Sequence, residues 1–511
     1  MNIKYILIGF IGLLSSCSLD YEPIDTYSDV TEGREDESVT VIFKDKDVVL
    51  LHRQTLIDMF KNGQEHWYLD MLLLAESHSD NAYAGSPNAE TTPFEVNSIE
   101  GSNTNLRRDW NGHMANVGRT NQMIVGLEQI TDPSLSAAEK QQFTAEAKIL
   151  RAMLYFDMVR TWGNIPLITT IAGDITSETV KDVYPAYFPP QTDELTIYQQ
   201  IEGDLLEALT NAPDNNPSDK RTISKSVARA LLAKVYAEKP LRDYDKVIKY
   251  ADELASDGFA LVDDFSDLFS VILDDPSQPP SQENRAIDAK TRNSKETIYE
   301  AQFIVGDDNW VTWMLGRPLN DWTFYFDWAK WITPSRDLIK AFSSETGDKR
   351  YEETVVYYSC GWNIYYPANN YAFMYKCRSS YNSIIKLRYA DILLLKAEAL
   401  IGKGDFSGAA AIINQTRNRA GLPNLLTSAT ANKDAILNAY LKERRLELAM
   451  EGQRWFDLVR LDKVEEVMNA VYAKDEGRPA QVYPFDKLSY LLPIPQDVID
   501  QNTNLVQNPG Y

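Results

Sequence analysis

Glu443–Arg460, read as ERRLELAMEGQRWFDLVR, sets charged side chains among apolar ones at helical spacing, which restricts this chain to a fold that can answer those charges. Leu441, Leu446, Leu448, Phe456 and Val459 can share an inward face, while Glu443, Arg444, Arg445, Glu447 and Glu451 can pair at i, i+3 or i, i+4. Glu443 and Glu447, and then Glu447 and Glu451, bring like charges together, so arginines must answer them. Arg444, Arg445 and Arg454 are the nearest, and a planar guanidinium matches a carboxylate bidentately. Two neighbouring carboxyls also suit glycosidic acid/base work. So many arginines would hold them ionised, however, which favours a structural ion network over catalysis.

Most of the chain carries the same helical period, over 47–62, 65–77, 104–130, 136–161, 193–210, 224–239, 243–256, 335–343, 384–402, 406–420 and 432–461. Small residues such as Ala230, Ala233, Ala397 and Ala399 let neighbouring helices approach closely. Gly404-Asp405-Phe406 followed by Ala409 reads as the turn between paired helices of a tetratricopeptide-type repeat, although the period is irregular. No low-complexity linker divides the 511 residues, so residues 41–511 read as one body with long insertions.

Several ordered segments resemble the SusD/RagB family of Bacteroidetes surface lipoproteins. Ala145-Glu146-Ala147 leads through Leu150-Arg151-Ala152 and Tyr155-Phe156 to Trp162-Gly163-Asn164-Ile165-Pro166-Leu167. Ala228–Tyr236, Leu387–Ala399 and Ile413–Leu422 follow, then Leu491-Leu492-Pro493-Ile494-Pro495 and the closing Asn508-Pro509-Gly510-Tyr511. The resemblance implies a mainly α fold: a tetratricopeptide-like superhelix of helix pairs with long loop-rich insertions and a few short strands. It also implies a nutrient-binding role beside a SusC-like TonB-dependent transporter. Trp110 and Asn121 follow the family's helix pattern as packing and capping groups.

The first residues point to the same address on physical grounds. Lys4 and the free amine precede the apolar run Tyr5–Leu14, too short to span a bilayer, and Leu14-Ser15-Ser16-Cys17 has the order of a lipobox. Residues 1–16 are expected to be a lipoprotein signal peptide, with Cys17 acylated at ~0.8 kcal/mol per buried methylene. Polar, acidic residues 17–40 would form a flexible tether. Surface exposure on the outer membrane follows mainly from the family resemblance.

A formal charge of -23 argues against nucleic-acid binding, which needs clustered Lys and Arg. Cys360 and Cys377 flank two β-like runs around Pro367-Ala368-Asn369-Asn370, where they fall roughly opposite each other; a disulfide and two separate thiols are both open. His52, His66, His78 and His113 show no HExxH spacing and no cysteine nearby, so no metal is expected. No nucleophile elbow, dinucleotide fingerprint or phosphate loop is present, and no cofactor is expected.

Two loop-rich insertions are left over from the helical scaffold. Ser79–Gly101 carries Asp80, Asn81, Tyr83 and Phe94; Gly306–Thr333 carries Trp310, Trp313, Trp322, Tyr325 and Trp328 among Asp307, Asp308, Asn309, Arg317, Asn320 and Asp321. Sugars present apolar C–H faces edged by hydroxyls, so flat rings beside Asn, Asp and Arg suit an oligosaccharide. The expected ligand contacts are Asp80, Asn81, Tyr83, Trp310, Trp313, Asn320, Trp322 and Tyr325. The competing reading is that these aromatics bury the insertion itself, since Trp322, Phe324, Phe326 and Trp328 alternate like a strand. A peptide-capturing relative is the alternative function. A surface glycosidase would need two facing carboxyls, for example Asp308 and Asp321, roughly 5–9 Å apart.

Overall fold

The computed structural model describes residues 42–278, 284–304, 306–307, 309–316 and 330–511, apart from the side chains of Glu65 and Trp313. The expected signal peptide, Cys17 and the tether lie outside the described residues. So do Asp308, Asn320, Asp321, Trp322 and Tyr325.

Residues 42–511 cluster as one unit built mainly from helices. The principal ones are α1 (Lys46–Ile57), α2 (Thr104–Gln129), α3 (Ala137–Trp162), α4 (Glu194–Asn211), α5 (Lys225–Ala237) and α6 (Tyr244–Ser256). After a strand-rich middle come α7 (Arg336–Ser343), α8 (Tyr389–Lys403), α9 (Phe406–Arg419), α10 (Lys433–Glu447) and α11 (Arg454–Arg460). Helix starts follow the local chemistry. Ser136 and Glu139 close a reciprocal capping box on α3, and Asp193, Asp243, Asp405 and Asn432 each accept a backbone N–H from the first turn of their helix.

Successive helices pack on one another, α2 on α3, α3 on α4, α4 on α5, α5 on α6, α6 on α8, and α8 on both α9 and α10. This is the tetratricopeptide-like run of helix pairs. Ala230, Ala233, Ala397 and Ala399 are wholly buried along it. At Gly402 a Cβ would stand 2.1 Å from the Tyr244 ring, so only glycine lets α6 lie this close to α8.

Among the described residues, eight short strands form four antiparallel pairs. β1 (Ala82–Ala84) pairs β5 (Ile332–Pro334), and β2 (Val271–Leu273) pairs β3 (Ala286–Ala289). β4 (Thr297–Ala301) pairs β8 (Ile384–Arg388), and β6 (Val355–Tyr358) pairs β7 (Tyr371–Met374).

The structure departs from the periodic reading in four places. Residues 384–388, expected at the head of a helix, are strand β8, because their side chains are shared between the ladder with β4 and a buried ion network through Arg388. Residues 65–77 wind as two π-helical turns, Glu65–Asp70 and Leu73–Ser77. The helix expected over 432–461 stops at Glu447 and resumes at Arg454. In the gap Met450 and Gly452 take φ of 62° and 76°, and their N–H groups donate to the Glu76 carboxylate at 3.2 and 2.7 Å. That carboxylate supplies the acceptors the broken helix needs.

The fourth departure is the cysteine pair. Val355 opposite Met374 and Tyr358 opposite Tyr371 place Cys360 beyond the turn end of the hairpin and Cys377 beyond its open end. They are not opposite, and both are free thiols. Cys360 donates to the Trp362 carbonyl at 3.1 Å, and Cys377 is buried.

The charges of Glu443–Arg460 are ion-paired, though not with the partners nearest in sequence. Glu447, fully buried, accepts from Arg350 (3.1 Å), Arg388 (2.6 Å) and Arg419. Glu443 accepts from Arg350 at 2.6 Å, and Glu451 from Arg388 at 2.6 Å and Lys376 at 2.5 Å. Arg444 turns instead to Asp391 (2.5 Å) and Asp457 (2.7 Å). Arg445 and Arg454 reach out of the helix pair to Asp80.

Candidate ligand-binding site

Two segments 250 residues apart in the chain meet at β1 and β5, where Ala82 faces Pro334, Tyr83 faces Thr333 and Ala84 faces Ile332. The contact extends on both sides. Gly85 N–H donates to the Trp331 carbonyl at 3.0 Å, and Ser335 donates through N–H to the Asn81 carbonyl (2.9 Å) and through Oγ to that of Asp80 (2.6 Å). The flanks of both insertions are thereby joined in one ladder.

Asp80, Asn81 and Tyr83 were expected to face a ligand; all three are buried, at 1%, 0% and 0% exposure. Asp80 holds Arg454 bidentately, at 2.7 and 2.8 Å, and Arg445 at 3.1 Å. Burial alone would raise its carboxyl pKa, but Arg445 and Arg454 outweigh that and hold it well below the usual carboxylate range. Asn81 donates from Nδ2 to Glu76 at 2.7 Å and accepts from Arg445 at 2.7 Å. The Tyr83 hydroxyl donates to Asp475 at 2.5 Å and accepts from the Arg336 N–H at 3.0 Å, and its ring stacks on Tyr365 with centroids 4.3 Å apart. These groups fasten the first insertion to the body, and their polar atoms are occupied in doing so.

In the second insertion Trp310 is half-buried against the core, just after Asn309, whose Nδ2 donates to the Asn382 carbonyl at 3.1 Å. Trp313 sits in the helical turn Thr312–Leu315. Trp331 N–H closes the far side by donating to the Met314 carbonyl at 2.9 Å. Asp307 is half-exposed and ion-paired with Lys61.

The third component is the β6–β7 hairpin, whose two β-like runs are legible in the sequence but whose place beside the insertions is not. Tyr365 donates to the Ala84 carbonyl and Tyr366 to the Pro334 carbonyl, each at 2.8 Å, so the hairpin lies directly on the β1–β5 ladder. Trp362, Tyr357, Tyr358 and Tyr366 remain partly exposed, and the Arg336 guanidinium stands 4.8 Å from the Tyr366 ring. Seven tyrosines and tryptophans between 357 and 375 are the signal in the sequence that points to it. Partly exposed rings beside a guanidinium are the groups that stack on and hydrogen-bond to a sugar.

One carboxyl beside the ladder has a raised pKa, and it is enclosed. Glu95 accepts from the Ala84 N–H and from the Tyr365 hydroxyl, both at 2.8 Å, with Arg478 3.9 Å away and no solvent exposure. Burial pushes its pKa up to about 7 against the pull of Arg478 and Tyr365. A carboxyl raised on folding stabilises the fold fully below its unfolded value and loses that contribution as pH rises through its folded value. Wild type should therefore lose ~3 kcal/mol between pH ~4.3 and ~7 relative to Glu95→Gln, at ~1.4 kcal/mol per unit. Urea midpoints of both proteins across that range check this, and parallel curves would refute it.

An internal cavity of about 60 Å³, lined by Asp157, Arg160, Lys234, Lys376, Lys386 and Glu451, has room for only a few waters. Lys234, Lys376 and Lys386 are each ion-paired there, with Asp391, Glu451 and Asp157. It is too small for a sugar.

Residues 274–511 match the family model described as "SusD family", and residues 35–237 match one described as "Starch-binding associating with outer membrane". The chain belongs to the SusD family. It is 26% identical over 511 residues to SusD-like protein P38 of Formosa agariphila, with 94% of each chain covered. Among solved structures, surface glycan-binding protein A from Bacteroides fluxus superposes with a TM-score of 0.72 at 20% identity, over 92% of this chain and 100% of that one. A laminarin-binding SusD-like protein gives 0.69 at 24% identity, over 92% and 100%. At these identities the superpositions speak to the fold.

Proposed function

We propose that this SusD-family chain is a cell-surface glycan-binding lipoprotein, anchored through lipid on Cys17, that captures an oligosaccharide without cleaving it. It passes the glycan to a SusC-like TonB-dependent transporter in the outer membrane. The observation that carries this reading is the β1–β5 ladder, which joins the flanks of both insertions and brings the Tyr- and Trp-rich hairpin alongside. In this reading Trp310, Trp313, Asn320, Trp322 and Tyr325 contact the sugar, and Asp80, Asn81 and Tyr83 fasten the first insertion to the body. The laminarin-binding relative and the glycan-binding protein of the same fold support the ligand class. The enclosure of Glu95 supports capture over hydrolysis.

Calorimetric titration of the purified protein with laminarin, other plant, host and microbial glycans, and a peptide mixture tests it. The expected result is saturable binding of a glycan, unchanged product-free on recovery, and weakened about tenfold or more by at least one of Trp310→Ala, Trp313→Ala and Trp322→Ala. Tenfold is ~1.4 kcal/mol, the scale of one aromatic contact. Binding of peptides alone would replace the ligand class, and turnover of the glycan would replace capture with glycosidase chemistry.

A further inference from the structure

Near the carboxy-terminal end of α3, which lends Thr161 and Trp162 to the same small cavity, the first π-helical turn brings a histidine and an aspartate of its own against an aspartate of α2. We propose that His66, Asp70 and Asp109 form a site for one divalent transition-metal ion, of the zinc or manganese class, that pins the π-helical turn Glu65–Asp70 to α2. One donor atom from each residue lies within 4.8 Å of the others, and His66 Nδ1 stands 3.8 Å from Asp109 Oδ1. Donors around such an ion sit ~2.0–2.2 Å from it, so modest side-chain rotations close the set. An imidazole beside two carboxylates suits zinc or manganese and disfavours calcium, which takes oxygen donors.

Space agrees with an ion. Asp70 is held by Arg108 at 2.6 Å, and a second carboxyl, Asp109, packs against it in a half-closed site. Asp109 Oδ1 is buried and has no hydrogen-bond partner among the described residues. A cavity of about 10 Å³, room for one small particle, is bordered by all three residues and by His113.

His113 supplies the independent observation. It is 3% exposed, and its Nδ1 is 2.7 Å from the Asp109 carbonyl, to which only an N–H can donate. That fixes the tautomer and leaves Nε2 as a lone pair with no hydrogen-bond partner among the described residues, on a side chain that borders the same cavity. The helix is also shaped for the imidazole. A Cβ at Gly112 would stand 2.6 Å from His66 Nε2, so a glycine inside α2, costly at about 1 kcal/mol, is what admits the ring. His66 and Asp109 keep side-chain exposures of 18% and 16%, an edge open for ion entry.

The test uses the untagged full chain, stripped with EDTA and titrated calorimetrically with zinc, manganese and calcium chlorides. One zinc or manganese ion per chain is expected, and none of calcium. Asp109→Asn keeps the side chain's shape, and together with His66→Gln it should weaken binding at least about tenfold, while His52→Gln, outside the site, leaves it unchanged. Zinc or manganese should raise the melting temperature of wild type but not of Asp109→Asn, which also shows whether that variant is folded. No binding by wild type, or equal binding by all variants, as surface ions would give, overturns the proposal.

Discussion

Glu447→Gln is expected to lower the free energy of unfolding by about 3–5 kcal/mol, the range for removing one partner of a buried ion cluster. Glu447 is the hub where Arg350, Arg388 and Arg419 converge, with side chains no more than 4% exposed. Without its charge three guanidinium groups face one another across the same space. The pH dependence has a definite sign. Burial opposes ionisation of Glu447, but Arg419, Arg388 and Arg350 overcome it and hold its pKa well below the ordinary value. A depressed carboxyl contributes stability above its unfolded value, and that contribution disappears as pH falls below ~4.3 toward the folded value. Urea titrations should therefore show the difference between wild type and Glu447→Gln full at pH 7 and shrinking below pH 4. A loss under ~1 kcal/mol at pH 7 would mean that the cluster is hydrated rather than buried.

Asp80→Asn is the second large effect, also about 3 kcal/mol or more of stability, because Arg445 and Arg454 would be left facing a neutral amide inside the protein. This substitution separates the two roles that Asp80 has been given. As an anchor, its loss lowers the urea midpoint while the protein that remains folded binds glycan with unchanged affinity. As a ligand contact, affinity would fall at a temperature where the variant is still fully folded. The first outcome is expected from an exposure of 1%.

Helices were the legible part of the sequence. The period over 136–161 anticipates α3 within a residue at each end, because Ser136 and Glu139 form a local cap and the apolar positions are contiguous. The break at Met450 was not legible. The alternation of charge and aliphatic residues runs through Leu448–Gln453, and the group that terminates the helix, Glu76, lies far away in the chain. Strand Ile384–Arg388 hid for a similar reason, since a short apolar run joined to a strong helix gives no period of its own.

For the site, the general location was readable from leftover loop and aromatic content, but the individual roles were not. Asp80 and Asn81 look like loop polar residues until Arg445 and Arg454 are placed beside them. Strands of three residues, such as β1 and β5, are too short to announce a pairing, so the junction of the two insertions comes from tertiary structure alone. The charge network was half legible. Arginines were required, but the ones that answer Glu447 come from β8, α9 and the turn at Arg350.

The ties from Glu76 and Asp80 to Met450, Gly452 and Arg454 span most of the chain. A nascent chain that ends before them carries two carboxylates with most of their partners missing, and its first insertion has nothing to fasten to. Contacts of such sequence separation form slowly, because loop closure must precede any gain from them. Folding of the amino-terminal part should therefore wait for the carboxy-terminal part, so that a truncated polypeptide stays open to proteases until synthesis is complete.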